Sequence, residues 1–318
     1  MPSEPGPYSG LVTETQEAQA QEQETERRAE APPAVRPGRV ALWVLGAAAL
    51  LSVGGVLFSL YRVTGMADGL DQTGVILLAL SLFSPIIVTV FAGAVAALVA
   101  PRLVKGPQKL AALLGALVAG LIAGAAAYTL FSVDAAIALA IGLTLVASGL
   151  VGGLIALSKH AAAIAAGLIA TLVLLGFMYA RGIFEAASSR SLFSDPIDEY
   201  NALSTAAPFL VGLACGICAF LYLRARKANV KLIGHLFAGA IPGAIWMLST
   251  IIAQFGVESV LAVGADEVHP LDSANLALSF QSQYNGSMTA MFAGAFCAVL
   301  AFGLLLPKNP KAKAAKTS

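Results

Sequence analysis

The chain has 318 residues, of which 58% are hydrophobic and 12% are charged, and its net charge is +1. A soluble domain has roughly 45–50% apolar and about 25% charged residues, so the composition excludes an ordinary soluble domain. The net charge by itself indicates no particular partner. No nucleic-acid partner and no cofactor are predicted.

The apolar residues occur in eight blocks, each long enough to cross roughly 30 Å of hydrocarbon as a helix. In lipid every backbone polar group must be bonded within its own segment, which makes helices the default. The sequence therefore predicts an all-α, polytopic integral membrane protein with eight transmembrane helices. The predicted spans cover residues 40–61, 73–100, 109–131, 135–157, 161–180, 203–223, 232–254 and 286–306.

Charged residues alternate between the connections of these spans. Of the 19 basic residues, all but Arg62, Arg181 and Arg190 fall before the first span, after the last, or in the connections on the same side. The acidic residues beyond the first 38 positions all fall on the other side. Because positively charged loops stay inside, both termini are predicted to be cytoplasmic. The composition looks bacterial, which indicates the inner (plasma) membrane.

The N-terminal segment, residues 1–38, is rich in Gln and Glu and then in Pro. It has too little apolar surface to offset the entropy of ordering, so we predict a disordered cytoplasmic tail. Residues 308–318 form a short basic tail, which is also predicted to be cytoplasmic.

Two stretches of the chain resemble each other. GALVAGLIAGA (115–125) and GHLFAGAIPGA (234–244) are identical at seven of eleven positions. Upstream of each, the stretches 80–98 and 203–221 share a Ser, a Pro and a Gly in the same order. We therefore predict two parallel four-helix units, residues 39–160 and 161–307, related by an axis along the membrane normal. The alternative, that Ala/Gly/Leu-rich helices resemble each other by composition alone, remains open at this point.

Small residues on one helix face allow close backbone approach between helices in lipid. This pattern predicts helix-packing positions in the third, sixth and seventh spans, namely Gly120, Gly124, Gly212, Gly216, Gly239 and Gly243. A substrate passage lined by bare backbone is the alternative interpretation. Proline removes a backbone hydrogen bond, so Pro85 and Pro208 are predicted helix kinks.

Few side chains in the spans carry chemistry, and no ionisable residue is predicted at mid-span. His235 lies one turn into the seventh span, where we expect a hydrogen bond to a neighbouring helix; a proton-sensitive contact is the alternative. In the predicted outer loop between the last two spans, Asp266, Glu267, His269 and Asp272 are close together. They are a weak candidate cation site, and a solvated acidic loop is the alternative. Asp272 and Ser273 are expected to cap a short surface helix there.

Cys215 and Cys218 are spaced as C-x-x-C, but two cysteines without a matching histidine make a poor metal site. The chain contains no P-loop, dinucleotide fingerprint, H-E-x-x-H or G-x-S-x-G motif. No catalytic, cofactor-binding or metal residue is predicted. The expected function is that of a non-catalytic membrane subunit or scaffold that binds a membrane-protein partner through its outer loops and tail. A permease for an uncharged or lipidic solute is the second interpretation, and an enzyme acting at the outer surface the third.

Overall fold

The computed structural model describes residues 38–64, 72–104, 106–130, 134–158, 160–187, 206–228, 230–264 and 269–305. Of positions 59, 60, 62–64, 72, 73 and 181–187 only the backbone is described. Residues 1–37 of the predicted N-terminal tail, the predicted C-terminal tail, and the loop residues Asp266 and Glu267 lie outside the described residues. All described residues belong to one compact unit that begins at Arg36.

The described chain is helical and contains no strand. Its nine helices are α1 Arg39–Thr64, α2 Gln72–Ser81, α3 Phe83–Leu103, α4 Gln108–Leu130, α5 Ala135–Ala156, α6 Ala161–Ala187, α7 Ala207–Ala225, α8 Leu232–Gly264 and α9 Pro270–Leu305. Helices α2 and α3 together form one apolar stretch, so eight segments are long and apolar enough to cross a membrane. The predictions of an all-helical fold and of eight such segments are confirmed.

The helices pack in two neighbouring groups. Helices α3, α4 and α5 pack closely on one another, and so do α7, α8 and α9. Helix α6 packs on α7 and α8, and α1 packs mainly on α3. Helix α8 also contacts α2, α3 and α5, so it joins the two groups.

The charged side chains separate to opposite ends of the bundle. At one end, where the Arg224 guanidinium donates a hydrogen bond to the Leu305 carbonyl (3.4 Å), lie most of the described basic side chains. We call this the basic end; its described members are Arg39, Arg102, Lys109, Arg224, Arg226, Lys227 and Lys231. The described carboxylates Asp134, Glu258 and Asp272 belong to the opposite, acidic end.

The structure shows a helix break three residues before Pro85, whereas Pro208 lies at the start of a described helix. The second span is interrupted at Leu82, whose N–H bonds to the Ala79 carbonyl (3.2 Å) in a tight turn. Because Pro85 has no N–H, the carbonyl four residues earlier loses its helical donor, which favours a break there. Pro208 lies in the first turn of α7, and the residues before Ala206 lie outside the described part of the chain, so the kink at Pro208 stays a prediction. The proline in the interior of α8 is Pro242, which was not predicted as a kink.

The prediction of a long outer loop between the last two spans is wrong. Helix α8 has 33 residues and α9 has 36, which correspond to lengths of about 50 Å and about 54 Å. The chain from Val257 to Tyr284 is therefore mostly helical, and the two helices form a hairpin at the acidic end. We call Gly256–Gly264 and Pro270–Tyr284 the α8–α9 extension. It is a direct continuation of the two apolar helices.

Polar side chains cap two helices at the acidic end. The Asp134 carboxylate accepts hydrogen bonds from the backbone N–H groups of Ala136 (2.7 Å) and Ile137 (3.1 Å) at the start of α5, as expected from the sequence. Helix α9 is capped by His269, whose Nδ1 accepts from the N–H of Leu271 (3.3 Å). The predicted cap formed by Asp272 and Ser273 is wrong, because both residues lie inside the first turn of α9.

Candidate functional site

The buried Ser and Thr hydroxyl groups of the described chain are bonded within their own helices. Six buried Ser and Thr side chains donate to a carbonyl three or four residues earlier, at distances between 2.7 and 3.0 Å. They are Thr89, Ser148, Thr171, Ser249, Thr250 and Ser287. Such local bonds satisfy the hydroxyl donor without a partner from another helix. These side chains therefore do not form a polar path from helix to helix.

His235 is the buried polar side chain that differs from this pattern. It is 4% exposed, and its Nδ1 has no hydrogen-bond partner. Its ring packs between Phe302, at a centroid distance of 4.6 Å, and Phe220, at 5.8 Å. The expected hydrogen bond of His235 to a neighbouring helix is therefore not made by Nδ1. A buried polar atom without a partner costs free energy, so it needs an explanation.

His235 packs against side chains from the ends of two other helices. Phe220 belongs to α7, His235 to α8 and Phe302 to α9. One turn closer to the basic end, the Arg224 guanidinium donates to the Leu305 carbonyl. His235 thus lies in an aromatic layer directly beneath a bonded pair that holds the ends of α7 and α9 together.

A second polar cluster joins α8 to α9 near the base of the α8–α9 extension. The indole N–H of Trp246 donates to Oε1 of Gln283 (2.7 Å). The Tyr284 hydroxyl donates to Oε1 of Gln254 (2.9 Å), and the Gln254 amide lies 3.4 Å from the Glu258 carboxylate. We call these five residues the α8–α9 polar network. Interhelical bonds of this kind fix the register of the two helices where apolar contacts alone would not.

The sequence did not predict the α8–α9 polar network. Gln254 was expected to mark the end of a span, while Gln283 and Tyr284 were assigned to a loop. The sequence offered one sign of this network. Four side chains that can form hydrogen bonds lie near the facing ends of two adjacent apolar blocks. Their pairing depends on both blocks continuing as helices, which hydropathy does not show.

The predicted cation site is only partly described. His269 is exposed and caps α9, and Asp272 lies in the first turn of the same helix. Asp266 and Glu267 lie outside the described residues. Within the described ranges, no group of three His, Cys, Asp or Glu side chains is arranged to hold a metal ion.

The two cysteines of the C-x-x-C motif lie in α7. Cys215 is buried, and its thiol donates to the Ala170 carbonyl of α6 (3.4 Å). Cys218 is partly buried, and both are free thiols, as is Cys297. Cys215 therefore contributes to the contact between α6 and α7.

The predicted packing glycines of α4 lie against α5. A Cβ added at Gly120 would lie 2.8 Å from the Val146 carbonyl oxygen, and one at Gly124 would lie 2.6 Å from that of Gly142. Gly149 of α5 faces Gly120 in return, with a Cβ at 2.6 Å from the Gly120 Cα. A side chain at these positions would meet backbone, which cannot move aside without separating the helices.

The predicted packing glycines of α7 and α8 lie against α9. A Cβ at Gly212 would lie 2.6 Å from the Ala290 carbonyl oxygen, and Gly216 and Gly239 both lie directly against the carbonyl oxygen of Gly294. Gly243 lies against the backbone N–H of Met291. All six glycines therefore face the backbone of a neighbouring helix at separations that leave no room for a methyl group.

The fold and these clusters define a helical protein with eight apolar segments of membrane-spanning length. The chain matches no known protein family, no curated protein and no solved structure. Function must therefore be argued from its own residues.

Proposed function

We propose that the chain is an eight-span protein of a bacterial inner membrane, with the basic end and both termini in the cytoplasm. The support is the separation of basic and acidic side chains to opposite ends and the apolar character of the exposed helix surface. Among the described residues, Trp43 of α1 is 79% exposed and Phe296 of α9 is 63% exposed. In lipid such surfaces carry no hydrophobic penalty.

We further propose that residues 39–160 and 161–307 are two copies of one four-helix unit. The aligned glycines support this because they make corresponding contacts. Gly93 of α3 and Gly120 of α4 meet at Gly149 of α5, and their aligned counterparts Gly216 and Gly239 meet at Gly294 of α9.

A further pair of contacts has the same relationship. Gly124 lies against Val146, and its counterpart Gly243 lies against Met291. Val146 is three residues before Gly149, and Met291 is three residues before Gly294. A resemblance of composition alone gives no reason for the same spacing on both partner helices. The Gly-x-x-x-Gly pairs of α4 and α8 would then be the close-approach points of each unit.

The function that we propose is that of a non-catalytic membrane subunit or scaffold. The observation that carries this proposal is the α8–α9 extension. A hydrocarbon core of about 30 Å leaves about 20 Å of both helices beyond it, on the side that we assign to the outside. Apolar side chains on this extension are exposed, among them Val263 (51%), Leu271 (68%) and Leu278 (59%). Exposed apolar residues outside lipid are typical of protein interaction sites.

The buried Ser and Thr hydroxyls favour this function over that of a permease for a polar solute. Each donates to a carbonyl of its own helix, so none is left to bind a solute between helices. A permease for an uncharged or lipidic solute is the competing function that the following experiment separates from a subunit. An enzyme acting at the outer surface is the third function.

A photoreactive amino acid at Leu271 or Leu278 tests the proposed partner surface in living cells. We expect each to cross-link to one discrete protein, which then co-purifies in mild detergent at a fixed ratio. The matched control is Phe292, an equally exposed apolar residue of α9 that we place within the hydrocarbon. It should yield lipid adducts only. Purification of the chain alone, with a solute or lipid held between the two units, would support the permease instead.

A further inference from the structure

The basic end holds a niche where three helix ends meet. It is formed by Gly38 at the start of α1, Arg102 near the end of α3, and Tyr222 and Arg226 at the end of α7. The guanidinium of Arg226 lies over Gly38, since a Cβ at Gly38 would be 2.8 Å from its Cζ atom. We call these four residues the basic niche.

Helix geometry places Tyr222 and Arg226 side by side. The backbone N–H of Arg226 bonds to the Tyr222 carbonyl at 3.0 Å, so the two residues are one helical turn apart on the same face. Arg226 and Arg102 both interact electrostatically with the Tyr222 side chain, which also lies close to the Gly38 backbone. The niche thus places the Arg226 guanidinium beside the Tyr222 side chain, with the positive charge of Arg102 close enough to act on the same phenol.

Among the described residues, the Tyr222 hydroxyl is buried and has no partner to which it donates a hydrogen bond. Buried hydroxyl groups are nearly always bonded, because an unbonded one loses its water without compensation. A hydroxyl that can donate, near the positive charges of two arginines, is suited to an acceptor that carries negative charge.

The charges around the niche favour the same kind of ligand. The three described carboxylates, Asp134, Glu258 and Asp272, all belong to the acidic end. The start of α1 adds the partial positive charge of a helix N-terminus beside Gly38. Arg binds phosphate oxygens through paired N–H donors, which gives strong and directional contacts.

We propose that the basic niche binds a phosphate-bearing anion, with Tyr222 donating one hydrogen bond and Arg226 donating two. Arg102 adds positive charge at the rim. The phosphate can belong to the headgroup of an anionic phospholipid or to a free phosphate compound, because both offer the same acceptor oxygens. Arg226 is exposed and Tyr222 is partly exposed at the basic end, so a phosphate from either source reaches the guanidinium from outside and the buried hydroxyl once that flexible side chain moves.

The test uses the full chain, purified in a non-ionic detergent and freed of bound lipid. Its unfolding temperature is measured against increasing phosphatidylglycerol, phosphatidylcholine or inorganic phosphate, which yields an apparent dissociation constant for each. Wild type is compared with Tyr222→Phe, which removes only the hydroxyl, and with Arg226→Gln. The control is Lys231→Gln, which removes one exposed positive charge from the same end but outside the niche.

Wild type should bind phosphatidylglycerol more tightly than phosphatidylcholine. Arg226→Gln should weaken this binding about tenfold or more and Tyr222→Phe several-fold, with Lys231→Gln close to wild type. If inorganic phosphate shows the same dependence on both residues, the free anion is a ligand; if only the lipid does, the headgroup is. Equal binding by wild type and Tyr222→Phe, or an equal loss in Lys231→Gln, would overturn the proposal, because attraction would then be diffuse. Tyr222→Phe is small enough to keep the test decisive where Arg226→Gln fails to fold.

Discussion

Gly239 of α8 lies directly against the backbone carbonyl of Gly294 in α9, and a Cβ added at Gly294 would in turn lie against the carbonyl of Gly239. The contact is mutual, so neither position has room for a side chain. Helices in lipid are not drawn together by a hydrophobic force, so their association depends on contacts of this fit. The same relationship joins Gly120 and Gly149 between α4 and α5.

Gly294→Ala and Gly149→Ala should each destabilise the protein by about 1–3 kcal/mol, because the added methyl group meets backbone on the facing helix. The measurement is reversible unfolding in mild detergent, followed by circular dichroism. Gly176→Ala is the matched control, since nothing lies within 4 Å of a Cβ at that helical position. It should be neutral or stabilising, by about 0.5–1 kcal/mol at most. Equal losses at all three positions would refute close packing as the cause.

His235→Leu should leave the protein as stable as wild type or make it more stable. The substitution removes a buried Nδ1 atom that has no partner and keeps an apolar side chain against Phe220 and Phe302. An unbonded buried polar group costs about 1–3 kcal/mol, which the leucine recovers at least in part. Phe302→Ala, in contrast, should destabilise the same layer. A loss of stability in His235→Leu comparable to that of Phe302→Ala would show that the imidazole makes a bond of its own.

Trp246 and Gln283 should be energetically coupled. Trp246→Phe and Gln283→Leu each break the 2.7 Å hydrogen bond between α8 and α9. In a double-mutant cycle the coupling free energy should be about 0.5–1.5 kcal/mol, the usual net value for such a bond. Tyr284→Phe combined with Gln283→Leu provides a comparison in which the two side chains share no bond. Additive effects of Trp246→Phe and Gln283→Leu would exclude the proposed role in fixing helix register.

The two tryptophans differ in exposure, and this gives a direct test of insertion in lipid. Trp43 is 79% exposed on α1, whereas Trp246 is 6% exposed. After reconstitution with lipids brominated on the acyl chains, the Trp246→Phe protein should lose most of its fluorescence, because its remaining indole faces the quencher. The Trp43→Phe protein should lose little. Equal quenching of the two variants would contradict the assignment of the exposed face of α1 to lipid.

The eight long helices could be predicted because length and apolar composition are properties of each segment alone. The ends of α8 and α9 could not, since Gln254 was assigned to the end of a span, and Glu258 and Tyr284 were assigned to a loop. Their side chains bond between the two helices and support continued helix, which is a tertiary effect. Likewise, the break at Leu82 could be located only approximately from Pro85, because proline disfavours helix in the preceding residues as well.

The candidate sites show the same limit. The sequence singled out His235 by its depth in a span. The apolar surroundings of its Nδ1 atom could not be predicted, because Phe220 and Phe302 come from two other helices. Tyr222 and Arg226 drew no attention as a pair, since a basic loop after a span is fully expected. The niche is completed by Gly38, which is distant in sequence and lies under the Arg226 guanidinium. Contacts between segments that are distant in sequence cannot be predicted from the residues of one segment alone.

The proposed partner surface requires that the basic end is cytoplasmic and that the α8–α9 extension is outside. Single cysteines at Asn275, exposed on α9, and at Ser158, exposed after α5, test it in a background where Cys215, Cys218 and Cys297 are replaced by alanine. In intact cells a membrane-impermeant thiol reagent should label the cysteine at Asn275 and leave that at Ser158 unlabelled until the membrane is permeabilised. Labelling of Ser158→Cys in intact cells, or protection of Asn275→Cys, would contradict the proposed topology and with it the proposed partner surface.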